Sequence, residues 1–255
     1  MITSAHNPKV QMVRSLLARP KQRSEANAFV AEGVRLVEEA LAAGWPFRFG
    51  LYTEELNERG KALVQALQAR RIPVEQVPGD LLKTLSETKN SQGILAVLEY
   101  SPLPIPANLS FALILDSIRD PGNLGTLLRT AGAAGVQAVF LPPETTDAFA
   151  PKVVRAGMGA HFRLPICSLS WEEIHARVVG LNVYLAELEG PVCWQADFLS
   201  PLALIVGGEA EGASEHARRL ANQLVSIPMP GEAESLNAAM AGAVLMFEVV
   251  RQRGS

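Results

Sequence analysis

Phe111-Ala-Leu-Ile-Leu-Asp116 is a near-continuous apolar run that ends on an acid. A run without polar alternation reads as a strand buried on both faces, the arrangement found in parallel sheets covered by helices. Pro121-Gly-Asn-Leu-Gly125 follows as turn chemistry. Thr126–Ala134 then predicts a helix closed by Gly135, and Val136–Leu141 the next strand. Further on, Leu202–Val206 and Leu224–Pro228 read as strands, with helices at Ser214–Ala221 and from Asn237 to about Arg251. The expected fold class is α/β, and this half of the chain is a parallel-sheet domain.

Prolines at 102, 104 and 106 disfavour helix and stiffen residues 101–107 into an extended linker. It separates a domain at 1–100 from a second at 108–255. Within the first, helices are expected at Lys9–Ala18, Val34–Ala43, Leu56–Arg71 and Leu81–Glu87. Strands are expected at Ala28–Ala31, Phe47–Tyr52, Val74–Val77 and Ile94–Leu98. The alternation describes a small N-terminal α/β domain.

Of 255 residues 48% are hydrophobic and 19% charged, which excludes a disordered chain and leaves ample material for a core. Cys167 and Cys193 have no thiol or histidine at ligand spacing, so neither a disulfide scaffold nor a zinc site is expected, and no metal. The N-terminus has no apolar signal region, and the longest apolar stretch, Ala238–Phe247, is far short of a membrane span. A soluble, cytoplasmic protein is expected. Net charge is −3, which argues against a bulk nucleic-acid binder. The first 24 residues nevertheless hold Lys9, Arg14, Arg19, Lys21 and Arg23 and no acid. Such a stretch supplies phosphate contacts, or is simply a solvated helix face and loop.

Three loops follow strands, carry glycine and polar residues, and precede helices: Asp116–Gly125, Val206–Gly212 and Ile227–Asn237. In a parallel sheet such loops converge at the carboxyl ends of the strands, where ligands bind. None is a known phosphate cradle, since neither G-x-x-x-x-G-K-[ST] nor G-x-G-x-x-G is present. Two of the loops are acidic and would repel a pyrophosphate, but suit a cationic ligand with hydroxyl groups such as S-adenosylmethionine. Read singly, each residue has an ordinary alternative. Arg129 either points to solvent, pairs with Asp116 or Asp120, or acts in a site. Asn123 is at home in a turn, Ser235 and Asn237 in a helix cap, and Glu209 in solvent. The four histidines have no partner spacing for a catalytic triad.

In series the loops resemble one family. Asp120-Pro-Gly-Asn-x-Gly-x-x-x-Arg-Thr-Ala, Gly207-Gly-Glu-x-x-Gly and Ile227-Pro-Met-x-Gly-x-x-Glu-Ser-Leu-Asn are similar to the three motifs of the SpoU/TrmH branch of SPOUT RNA methyltransferases. Lys152-Val-Val-Arg-Ala-Gly-Met-Gly-Ala-x-Phe-Arg-Leu-Pro matches another recurrent segment, and the likeness spans about residues 108–253. Residues 1–100 resemble, less sharply, the L30e/L7Ae-like substrate-binding domain that precedes the catalytic domain in several ribosomal-RNA ribose methyltransferases.

The resemblance implies a C-terminal SPOUT domain with a deep trefoil knot, an exception to the rule against threaded loops. It implies S-adenosyl-L-methionine bound in the knot through Gly207, Ile227 and Leu236, and a homodimer with sites near the interface. Arg129 is implied as catalytic arginine, with Asn123, Glu209, Ser235 and Asn237 as its polar surroundings. The implied reaction is methyl transfer to a ribose 2′-hydroxyl of RNA, with large-subunit (23S) rRNA favoured by the N-terminal domain. A tRNA target, or a non-catalytic RNA-binding assembly factor on the same fold, are the alternatives. Protonated arginine has no acceptor and a pKa above about 12. Its role is therefore to hold a phosphate and stabilise the developing alkoxide, while the proton passes to Glu209, a phosphate oxygen or water. Gly157 and Ala239 stand where the family commonly has serines, which removes two hydroxyls.

Overall fold

The computed structural model describes residues 1–86, 91–208, 212–232 and 234–254. The chain divides into two compact units, Met1–Ser101 with Phe149–Phe162, and Pro102–Ala148 with Arg163–Ser255.

The first unit opens with α1 (Pro8–Ala18), whose N-cap Asn7 accepts from the Lys9 N–H at 2.9 Å. A second helix that the sequence reading leaves as loop, α2 (Pro20–Ala26), follows at once. Pro20 is pre-set for the first helical position, and Asn27 ends the helix in the left-handed region at φ 48°. Next come β1 (Ala28–Glu32), α3 (Val34–Ala42), β2 (Phe47–Tyr52), α4 (Glu58–Ala69), β3 (Val74–Gln76), α5 (Gly79–Lys83) and β4 (Ile94–Glu99). The sheet order is β1-β4-β2-β3, with β4 antiparallel to both neighbours and β3 parallel to β2. Val10, Val13 and Leu16 of α1 are buried against Leu51, Leu95 and Val97 of this sheet. The expected Leu81–Glu87 helix is shorter and earlier, and Glu87 lies outside the described residues.

The second unit begins with β5 (Phe111–Leu115), every residue of which is buried, as a two-sided strand must be. α6 (Pro121–Ala133) starts five residues before the expected helix. The reason is local: Asp120 caps it by accepting from the Asn123 N–H at 2.8 Å, and Pro121 occupies the first position, where a missing N–H costs nothing. The apparent turn is thus the first turn of a helix. β6 (Ala138–Leu141) follows, then α7 (Pro151–Gly157), which lies in the stretch grouped with the first unit. There Phe149 packs on Phe29 with ring centroids 4.9 Å apart, and Gly157 is buried.

β7 (Ile166–Ser168), α8 (Trp171–Val178), β8 (Asn182–Ala186), β9 (Leu202–Val206), α9 (Glu215–Leu220), β10 (Gln223–Val225) and α10 (Ala238–Arg253) complete the chain. Their sheet runs β10-β8-β9-β5-β6-β7, and every pairing is parallel. The strand expected to reach Pro228 stops at Val225 because its continuation pairs elsewhere. The Ser226 N–H donates to the Pro191 carbonyl and the Cys193 N–H to the Ser226 carbonyl, both at 2.8 Å. Gly190 crosses so closely that a Cβ there would lie 2.7 Å from the Val225 nitrogen. No described helix is long and apolar enough to cross a membrane.

Candidate active site

The carboxyl ends of β8, β9 and β10 open into a cavity of about 470 Å³ in the second unit. That position is where a parallel sheet binds ligands, and the size suits a nucleoside-sized molecule. Gly207, Ile227 and Leu236, the residues expected to hold the cofactor, all line it. So do Ser235 and Asn237 from the polar set.

Backbone forms much of the wall. A Cβ on Gly208 would lie 2.5 Å from the Ser117 carbonyl oxygen, and one on Gly207 2.8 Å from the Ala213 nitrogen. Neither neighbour is a flexible side-chain tip, so glycine is required at both. Asp116, fully buried at the end of β5, ties the loops together by accepting from the Ser214 N–H at 2.6 Å and the Ser117 hydroxyl at 3.2 Å. The backbone groups of Ile227 and Leu236 have no hydrogen-bond partner among the described residues, which leaves them available to a ligand. A mostly apolar cavity with backbone donors and acceptors at its rim fits the flat adenosine and short aliphatic arm of S-adenosylmethionine.

Two helix N-termini meet beside the cavity. Asn237 caps α10, its Oδ1 accepting from Ala239 N–H at 2.9 Å and Met240 N–H at 3.3 Å. Its amide nitrogen donates to Asn123 Oδ1 at 3.2 Å. The capping alternative for Asn237 is therefore true without excluding the functional one. Ala239, lacking the family hydroxyl, is buried and leaves the cap intact. Close packing of α10 on α6 fixes this meeting point, for a Cβ on Gly242 would come 2.4 Å from Leu127 Cδ2.

Arg129 is exposed on α6 and does not line the cavity. Among the described residues it pairs with neither Asp116 nor Asp120, whose carboxylates hold the Ser214 and Asn123 N–H groups instead. Glu209 lies outside the described residues. The sequence reading missed Glu187, just past β8, and Met229, both of which line the cavity. No strand was read at residues 182–186, so nothing marked the residue after it as a strand-end position; Met229 sat in plain view within the third motif.

Comparison with known proteins identifies the family. Residues 110–247 match the SpoU rRNA Methylase family, and residues 7–96 match the MRM3-like substrate binding domain. The chain belongs to the SpoU rRNA methylase family. Its relatives include the 23S rRNA (guanosine(2553)-2′-O)-methyltransferase of Bacillus subtilis, 34% identical with 97% of this chain and 98% of that one covered. Another is the 23S rRNA (uridine(2479)-2′-O)-methyltransferase of Streptomyces viridochromogenes, 32% identical over 98% of this chain and 92% of that protein. An AdoMet-bound rRNA methyltransferase from Sinorhizobium meliloti superposes with a TM-score of 0.87 at 34% identity, covering 98% of this chain and 97% of that one. Family membership agrees with the three-motif resemblance.

Proposed function

We propose that this chain methylates a ribose 2′-hydroxyl of large-subunit rRNA, using S-adenosylmethionine seated in the cavity at the ends of β8, β9 and β10. The observation that carries the reading is the convergence of Gly207, Ile227, Leu236 and Asn237 on that one cavity. When bound, the cofactor supplies a methyl group on a cationic sulfur. Ile227 and Leu236 hold it through backbone groups, and the apolar walls exclude water. Asn237 and Asn123 present their amides at the cavity's edge, with Ser235 beside them. Arg129 stands outside the wall, so its guanidinium serves the RNA: it grips a phosphate and stabilises the oxygen as charge develops there. Fixing the ribose against the methyl supplies much of the acceleration.

Four further features belong to the reading. The lacing of residues 190–193 with Val225 and Ser226 supports a threaded, knotted crossing. Met240 (52% exposed) and Phe247 (49%) lie seven residues apart on α10 with partly buried Val244 between them. A second copy covers this apolar stripe, making the working form a homodimer. Residues 1–101 recognise the folded RNA, and the setting is the cytoplasm, where ribosomal RNA is met.

The test is transfer of labelled methyl from S-adenosylmethionine to bulk rRNA and tRNA from cells lacking the gene, followed by nucleoside analysis. Label in a 2′-O-methylnucleoside of large-subunit rRNA is the expected result. Label in tRNA would keep the chemistry and replace the substrate. No label, with cofactor binding intact, would leave a non-catalytic RNA-binding factor.

A further inference from the structure

Among the described residues that line the cavity, Glu187 is the one with an ionisable side chain. Its backbone is fixed, since its N–H donates to the Val225 carbonyl at 2.9 Å. Its Oε1 lies 2.7 Å from Arg218 Nη2 of α9. The pair is polarised in space. Glu187 lines the cavity and its side chain is 21% exposed, whereas Arg218 is 48% exposed and is not part of the lining. The carboxylate of this pair thus belongs to a residue of the cavity wall, and the guanidinium to one outside the lining.

S-adenosylmethionine carries a sulfonium, an ammonium and a carboxylate, net +1. Methyl transfer breaks the S–CH₃ bond, leaves its electron pair on sulfur, and turns the cofactor into neutral S-adenosylhomocysteine. The two ligands are nearly the same shape, so apolar contacts and backbone hydrogen bonds barely distinguish them. A charge in an apolar cavity does, because Coulomb attraction acts on the sulfonium wherever it lies within the cavity. We infer that Glu187 is a selectivity residue that favours the methyl-bearing cofactor over its demethylated product, with Arg218 holding its carboxylate in place. This rests on the cavity being the seat of the cofactor.

The charge-and-dipole geometry gives a discrimination of about three- to tenfold at an effective dielectric near 20. The experiment is calorimetric titration of the full chain with each ligand. Glu187→Gln should lower the ratio of product Kd to cofactor Kd by that factor, mainly by weakening S-adenosylmethionine, and Glu187→Asp should restore it. Arg218→Met should leave the ratio at or above that of the unaltered protein. The opposite directions matter, because a purely structural ion pair would weaken both ligands alike in both variants. That outcome, or an unchanged ratio in Glu187→Gln, overturns the inference. On the unaltered protein, sinefungin, which carries an amine in place of the sulfonium, should also bind more tightly than the product. Equal affinities for all three ligands would overturn the inference without any variant. Ile227→Trp, which fills the cavity, separates this failure from that of the underlying reading: if it binds S-adenosylmethionine normally, the cofactor sits elsewhere.

Discussion

The amide of Asn237 donates to the side-chain carbonyl of Asn123 at 3.2 Å, joining residues 114 positions apart at the N-termini of α6 and α10. Each asparagine also belongs to a helix start, Asn237 as the cap of α10 and Asn123 as the residue whose N–H satisfies Asp120. Stability and chemistry therefore share the same atoms. Asn237→Ala should destabilise the protein by about 1 kcal/mol through the lost cap, measured by denaturant unfolding. Turnover should fall further than that loss explains. A double-mutant cycle with Asn123→Ala should show coupling of at least about 0.5 kcal/mol, and additive effects would deny the link.

Arg129→Ala should reduce single-turnover methyl transfer by about a hundredfold or more, the scale of losing one charge-stabilising group. Melting temperature and S-adenosylmethionine affinity should stay near those of the unaltered protein, because Arg129 is exposed and outside the cavity lining. Unchanged turnover removes it from the reaction.

Gly208→Ala places a Cβ against a backbone carbonyl, that of Ser117, at 2.5 Å. The wall must move to admit it, so cofactor affinity should fall by about tenfold, equivalent to about 1.4 kcal/mol. Calorimetry with S-adenosylmethionine reads this directly, and normal affinity would place the ligand away from that wall.

The basic N-terminal stretch divides once burial is known. Arg23 is buried and donates to the Leu16 carbonyl at 2.6 Å, and Lys9 is paired with Glu75. Arg14, Arg19 and Lys21 remain exposed. Neutralising those three should lower rRNA affinity and flatten its salt dependence, by a slope of about one per lost phosphate contact. Arg23→Gln should instead act on stability. An unaltered salt slope in the triple variant would make the stretch mere surface.

Hydrogen bonds from Arg251 hold the Glu248 carboxyl below its ordinary value of 4.5. A depressed carboxylate pKa means the unfolded chain binds the extra proton in this window, so stability rises with pH there. The contribution is present above the ordinary value and is lost as pH falls through the lower folded one. Acid unfolding of Glu248→Gln should lack this component and show a shallower slope below pH 4.5. Identical slopes would show that other carboxylates govern acid stability.

Much of the fold and site was legible in the sequence because its signals are local. An uninterrupted apolar run such as Phe111–Leu115 reports burial on both faces, and β2 and β9 have the bounds that periodicity assigns. The family resemblance pointed to Gly207, Ile227, Leu236 and Asn237, which all line one cavity, as loops at the ends of neighbouring parallel strands approach one another. Turn-like composition misled where capping decides: Pro121-Gly-Asn reads as a turn, yet the Asp120 side chain makes it a helix start. Tertiary structure alone decided which groups face which. It took Arg23 from solvent, gave Asp116 to Ser214 rather than Arg129, and brought Asn123 to Asn237. It also set Glu187 at the cavity with Arg218 behind it. Such pairings depend on strand order and helix approach, which are long-range packing outcomes that no window of sequence contains. The sequence determined the elements and their chemistry; the packing of β8, β9 and β10 under α10 decided which of them share a site.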